Sequence, residues 1–266
     1  MGRQIREHRL TQDPVRPGVL AAIGIRLRNK TIRRYSRWGA RNYETRRKSA
    51  RWAAETRTFE RFLDRIRPGA VLDCPVGSGR WFPVYRRHGA SVFGVDVSKH
   101  MIAEAARKIP PGADIRVERC DALDPRQRPS LGHGYDLIVC TRFVYWLRPL
   151  ELAILLGSFR STGAPLLLAS AKVRLDDKPQ AKRAGRAGIL RFLDRARAHF
   201  YRAVVKRVYE EAALLEIFGE NGWNLVKKQH VVTTSSLRYF YYLFARADAD
   251  SVGPSRARPT PTARRT

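Results

Sequence analysis

Acids are scarce in this chain of 266 residues: 24 Asp and Glu stand against 52 Lys and Arg, a net charge of +28. Only ten of the basic residues are Lys. The excess draws the protein towards polyanions, either nucleic acid or an anionic membrane surface. Cysteine is also scarce. Cys74, Cys120 and Cys140 form no Cys-x-x-Cys pair, so neither a zinc site nor a disulfide framework is expected. No apolar run reaches the roughly 18 residues of a transmembrane helix. Arg3, Arg6 and Arg9 lead into no clean apolar core, so no secretory signal is expected. The apolar share of 44% still supports a sizeable core. The expected location is cytoplasmic, with peripheral contact at an anionic membrane left open.

What is present is concentrated in residues 70–97. Val71 and Leu72 predict a short buried strand that Asp73 closes. Gly77 and Gly79 form a loop that a ligand can approach closely, because neither carries a Cβ. Arg80 to Arg87 predicts a helix, and Ala90 to Val97 a second strand that ends in the acid Asp96. This is the βαβ nucleotide-binding order. It predicts that loop N–H groups and the helix N-terminus face the ligand, and that Asp96 accepts from ribose hydroxyls. A dinucleotide fingerprint needs a third glycine, and Phe82 occupies that position. Asp73, ahead of the glycines, repels a pyrophosphate and attracts an ammonium.

The stretch resembles motif I and the following acidic strand of class I S-adenosylmethionine-dependent methyltransferases, whose pattern is Asp/Glu-x-Gly-x-Gly-x-Gly. Asp73, Gly77 and Gly79 match it, and Asp96 matches the ribose-binding acid. The first glycine of the pattern is Pro75 here, which fixes φ and removes one donor. The resemblance implies S-adenosylmethionine as cofactor and a Rossmann-like, seven-stranded, mostly parallel sheet flanked by helices, with an antiparallel pair of strands at its C-terminal end. It also implies that Val97, with Asp96, and Asp121 with Ala122 meet the adenosine. It further implies that a helix before motif I lids the cofactor, with Tyr43 a candidate. The subtype most similar is the quinone-biosynthesis type.

Three domains of sequence follow: a basic extension (1–41), the methyltransferase domain (42–247) and a Pro-, Ser- and Arg-rich tail (248–266) expected to be disordered. Residues 1–51 hold fifteen basic residues and three acids. A mobile arm, a membrane- or RNA-binding arm and a mitochondrial presequence all fit that composition. Asn42 to Phe62 predicts a helix. Ser98 predicts an N-cap for a helix over Lys99 to Lys108. Ile115, Val117 and Cys120 mark a third strand, and Asp124 to His133 a polar, turn-rich connection. Tyr135 to Arg142 reads as a central parallel strand. Its end opens onto the ligand crevice with Arg142, Tyr145 and Trp146 as tentative substrate residues. Arg142 would hold an anionic group or bridge to Asp121. Tyr145 and Trp146 would line the pocket or pack on the next helix, Pro149 to Arg160.

Pro165 to Val173 predicts a fifth strand. The segment 175–207 is a very basic amphipathic stretch for substrate, membrane, nucleic acid or a partner helix. A helix over Glu210 to Phe218 and two strands, from Leu225 and from Arg238, complete the domain. Methyl transfer from a sulfonium needs no triad and no metal, and none is visible. His133 and His230 are loose candidates for a base. The Asp/Asn-Pro-Pro-Tyr signature is absent after the fourth strand, which disfavours amino methylation of that type. The leading expectation is methyl transfer to a small or lipid-linked molecule. The alternatives are an RNA methyltransferase and a non-catalytic binding protein on the same fold.

Overall fold

The computed structural model describes residues 40, 50–174, 208–234 and 237–248. Tyr43, most of the basic arm, the segment 175–207 and nearly all of the tail lie outside them. Seven strands form one sheet: β1 (Ala70–Asp73), β2 (Ser91–Asp96), β3 (Ile115–Arg119), β4 (Leu137–Cys140), β5 (Leu166–Arg174), β6 (Trp223–Thr233) and β7 (Leu237–Arg246). Their order is β3-β2-β1-β4-β5-β7-β6. The first five run parallel; β7 is antiparallel to both β5 and β6. The order reverses between β1 and β4, so the carboxyl ends of these two strands flank the crevice where such sheets bind ligands.

Among the described residues, five helices flank the sheet: α1 (Ala50–Ile66), α2 (Phe82–Arg87), α3 (Lys99–Ala106), α4 (Pro149–Arg160) and α5 (Glu211–Glu220). Alternation along each strand assigns its residues to two cores. Val71, Leu137 and Val139 pack with Phe59, Phe62 and Leu63 of α1 and with Tyr85 of α2. Leu72 and Ile138 pack on the other face with Leu152, Leu155 and Phe159 of α4 and Phe218 of α5. The α1 stripe is helical in spacing, with Phe59, Phe62 and Leu63 buried.

Several elements differ from the sequence expectation. The described part of α1 runs on to Ile66, past Phe62. Arg67, with φ 49°, then breaks the helix. Helix α2 starts at Phe82, because Arg80 and Trp81 are spent in the loop. The fourth strand is only Leu137–Cys140. The polar connection after β3 contains a 3₁₀ turn, Pro125–Leu131, that buries Leu131. Ser98 caps α3 as expected, its Oγ accepting from Met101 N at 3.4 Å.

Candidate active site at the carboxyl edge of the sheet

The glycine loop is folded inwards. Gly77 and Gly79 take φ of 58° and 73°, which other residues reach only with strain. Gly77 N–H donates to Asp96 Oδ2 at 3.2 Å, Gly79 N–H to Val76 O at 3.2 Å, and Val76 N–H to Val95 O at 2.9 Å. These amides are therefore engaged inside the protein, contrary to the expectation that they face the ligand. Helix α2, six residues long with Pro83 in its first turn, is too short to serve as an anion site. A loop with its amides consumed this way does not suit a pyrophosphate. A Cβ at Gly79 would stand 2.5 Å from the Phe82 ring, whereas one at Gly77 would meet nothing within 4 Å. The open side of the loop is thus at Gly77. The Cys74–Pro75 peptide is cis.

Asp96 ends β2 and is buried. Its Oδ1 accepts from Ser98 N–H at 2.8 Å and its Oδ2 from Gly77 N–H. A carboxylate has about four lone-pair sites, so capacity remains for two further donors. Burial pushes its pKa up to about 6, against the two backbone hydrogen bonds that lower it. Beyond it, a cavity of about 280 Å³ is lined by Val97, Arg119, Asp121 and Gln127. Asp121 Oδ1 accepts from Leu123 N–H at 3.1 Å, and Asp121 N–H donates to Gln127 Oε1 at 2.9 Å. Ala122 is buried beside it. Asp96 and Val97 thus stand at the carboxyl end of β2, and Asp121 and Ala122 just past that of β3, where Cys120 N–H donates to Asp96 O at 3.2 Å. Arg119 and Gln127 were not anticipated; their signal is weak, since both fall in stretches that read as exposed.

Asp73 is not an exposed carboxylate. It is 1% exposed, and its Oδ2 accepts from Tyr85 O–H at 3.0 Å, while Oδ1 is buried with no hydrogen-bond partner. Burial chiefly pushes its pKa up to about 8, and the charge on Asp96 adds to this. The three thiols sit at or next to the carboxyl ends of β1, β3 and β4, all buried and free. Burial pushes each up, Cys120 to about 11.

On the far side of β1 the residues are basic and aromatic. Arg142 follows β4 with φ 61°. It does not bridge to Asp121. Its Nη2 lies 3.5 Å from Glu55 Oε1 on α1. Tyr145 does not pack on α4. It is buried in the core on the α1 face, with Lys172 Nζ 5.2 Å above its ring, while Trp146 is half-buried at the same core's margin. Trp81 Nε1 donates to Thr141 Oγ1 at 3.0 Å, tying the loop to the tip of β4. Glu55 was missed by sequence reading. The signal was there: it lies four and seven residues before Phe59 and Phe62, a carboxylate on an apolar stripe.

The two histidines are misplaced for a base. His133 is exposed in the loop that enters β4, at the opposite edge of the sheet. His230 is on edge strand β6, its Nε2 2.9 Å from Thr233 Oγ1. Among the described residues, no group of three or more His, Cys, Asp or Glu is placed to hold a metal, and no helix is long and apolar enough to cross a membrane.

Residues 71–162 match the family model described as Methyltransferase domain. No curated protein matches the chain. Among solved structures, the 1,6-didemethyltoxoflavin-N1-methyltransferase of Burkholderia thailandensis aligns with a TM-score of 0.55 and 21% identity over 89% of this chain and 92% of that one. The magnesium protoporphyrin IX methyltransferase of Synechocystis PCC 6803 aligns with a TM-score of 0.50 and 18% identity over 73% and 82%. Human N-acetylserotonin methyltransferase gives 0.50 and 15% over 73% of this chain and 52% of that one. At such identities the likeness establishes the fold, and the domain match places the motifs within it. Residues 71–162 of this chain therefore match a methyltransferase domain, and the chain has the fold of S-adenosylmethionine-dependent methyltransferases.

Proposed function

We propose that the protein transfers a methyl group from S-adenosylmethionine to a small-molecule acceptor. The observation that carries this reading is the inward-folded glycine loop bonded to Asp96, next to the cavity at Val97 and Asp121. It offers acids and an open Cα where a dinucleotide would need free amides. Asp73 Oδ1, an orphaned buried oxygen at the end of β1, fits a cofactor that brings a cation. The solved neighbours carry S-adenosylhomocysteine or S-adenosylmethionine and include enzymes named for small, flat molecules, which supports the same reading.

When bound, the cofactor supplies an electrophilic methyl on a sulfonium whose charge already activates the leaving group. The chain's part is to bind, orient and exclude water. Asp96 uses its remaining lone pairs for ribose hydroxyls. Val97, Asp121 and Ala122 enclose the adenine. Gly77 leaves the space that a side chain would fill. Arg142 and Trp146 flank the acceptor side at the tip of β4, with Tyr145 supporting them from below. No base is assigned, since both histidines are elsewhere.

The quinone-biosynthesis subtype and a lipid-linked acceptor are finer readings that we keep as proposals, with Tyr43 as a lid residue. So are a cytoplasmic location and contact with an anionic membrane. Their support is charge: residues 1–49, 175–207 and 249–266 together carry +21 of the net +28. Vesicle flotation set against an RNA gel shift, both over a salt series, separates membrane from RNA; a steep salt slope on RNA alone would favour RNA methylation. The cofactor is tested by calorimetry with S-adenosylmethionine and with NADH. Binding of the first and not the second is expected. Binding of NADH alone would overturn the reading, and release of labelled methyl to an acceptor would exclude a merely binding role.

A further inference from the structure

The two helical layers of the domain carry opposite charge. Helices α4 and α5 hold Glu151, Glu211, Glu216 and Glu220 against one cation, Arg160. Helices α1 and α2 hold six arginines against three acids, Glu55, Glu60 and Asp64. A basic bias of composition alone would load both layers alike.

All three acids of the basic layer are consumed. Glu55 is buried and meets Arg80 Nη1 at 2.7 Å and Arg51 Nε at 3.1 Å. Glu60 bridges to Arg87 of α2. Asp64 Oδ1 lies 3.4 Å from His88 Nε2, just past α2. On its side away from the core α1 presents Arg57, Arg61 and Arg65, all exposed and none with an ion pair among the described residues. They stand at i, i+4 and i+8, in one line along the helix, with the buried Phe59, Phe62 and Leu63 opposite. At about 1.5 Å per residue the line is about 12 Å long, and one strand of a duplex presents roughly three phosphates over that length.

Like charges at this spacing repel one another on an isolated helix. A polyanion laid along the line turns the repulsion into attraction, and guanidinium forks suit phosphate oxygens. Two neighbouring chemistries fit less well. Among the described residues the exposed large apolar side chains are Leu150, Leu225 and Val226, none of them on α1 or α2, so this face has nothing to enter a bilayer. The aromatic rings of the two helices are buried or half-buried, so it has no platform on which single-stranded bases stack. What remains is contact with phosphates, which positions a duplex without reading its sequence.

We propose that Arg57, Arg61 and Arg65 form a docking surface for the phosphate backbone of a nucleic-acid duplex. The surface leads away from the active-site edge, because the end of α1 that carries Arg65 runs into the amino end of β1. Nucleic acid held there is a docking partner and not the methyl acceptor, so the inference does not rest on the methyl-transfer reading.

The test uses the full chain in three forms: the parent, a ridge variant (Arg57→Gln, Arg61→Gln and Arg65→Gln together) and a tail variant (Arg256→Gln, Arg258→Gln and Arg264→Gln together) that loses the same charge elsewhere. Binding of an RNA duplex of arbitrary sequence is read by fluorescence anisotropy over a salt series. The ridge variant is expected to bind at least about tenfold more weakly at low salt, with the slope of log affinity against log salt reduced by about 2–3, and the tail variant to change that slope by less than about 1. The melting temperature of the ridge variant should be unchanged or higher, since like charges are removed. The same loss is expected on a DNA duplex, because phosphates are common to both; a loss on only one of the two would overturn the backbone reading. Equal losses in the two variants would reduce the effect to net charge and overturn the surface, as would a ridge variant that binds both duplexes like the parent. A loss confined to phosphatidylserine vesicles would overturn it in favour of a membrane. S-adenosylmethionine affinity is expected to be the same in all three proteins, which keeps a failure here distinct from a failure of the methyl-transfer reading.

Discussion

The carboxyl edge of the sheet has two unlike halves. Over β2 and β3 the groups are acids fixed by their own backbone: Asp96 is bonded to Gly77 and Ser98, and Asp121 to Leu123, each partner within 19 residues. Over β4, β5 and β7 they are arginines and aromatics fixed by distant partners, with Glu55 reaching Arg80 and Arg142 from α1 and Ser170 reaching Tyr239 across the sheet. A half built from local contacts is a fixed receptor for an invariant part, such as adenosine. A half built from long-range ion pairs and ring contacts can be re-specified by changing one helix or strand. This division suits an enzyme that keeps its cofactor and varies its acceptor.

The sharpest way to break the comparison is at Glu55. Glu55→Ala removes the buried carboxylate that Arg80, Arg51 and Arg142 share, and a loss of about 3–5 kcal/mol of stability is expected by chemical denaturation. A loss under about 1 kcal/mol would mean that the cluster is solvated and the two halves are alike.

Asp73, on the boundary, gives a pH signature. Its pKa in the folded chain is raised from 3.8 to about 8. The folded state holds this proton more tightly than the unfolded chain. Its contribution to stability is therefore complete below about pH 4 and is lost as pH rises to about 8. Asp96, raised to about 6, acts in the same direction over the lower part of that window. Asp73→Asn should gain stability relative to the parent by a few kcal/mol between pH 4 and pH 8, read from melting curves. A parallel offset across that range would show that Asp73 is already ionised. In the parent, cofactor binding at pH 7 should release a proton, seen as a dependence of the calorimetric enthalpy on buffer ionisation.

Trp81→Phe removes the hydrogen bond to Thr141 that ties the two halves and also part of a buried ring stacked on Phe59, and should cost about 2 kcal/mol. Asp121→Asn keeps the oxygen that accepts from Leu123, so stability should stay within about 0.5 kcal/mol. Its expected effect, a severalfold loss of S-adenosylmethionine affinity, is the smallest and reports on the first half alone.

The same division explains what was legible in the sequence. The strands, the glycine loop, the Ser98 cap and the acids at 96 and 121 lie in short motifs whose geometry is local. The loop amides were misread, because their inward turn depends on the β2 carboxylate nineteen residues away. The partner of Arg142 was misread for the same reason: Asp121 is nearer in sequence, but the guanidinium meets Glu55, 87 residues away on α1. Tyr145 and Trp146 read as lining the pocket or packing on the next helix, yet both belong to the core on the α1 face, with their ring centroids 6.0 Å apart. Glu55 was visible only as a charge on an apolar stripe, a pattern that needs the sheet opposite it to acquire meaning.

In the proposed function, Asp96 and its loop hold the ribose of S-adenosylmethionine. Paired calorimetric titrations of S-adenosylmethionine into the parent and into Asp96→Ala, with folding checked by circular dichroism, test it most directly. One-to-one binding by the parent and a loss of about 10–100-fold in the folded variant are expected. Equal affinity in the two proteins would contradict it.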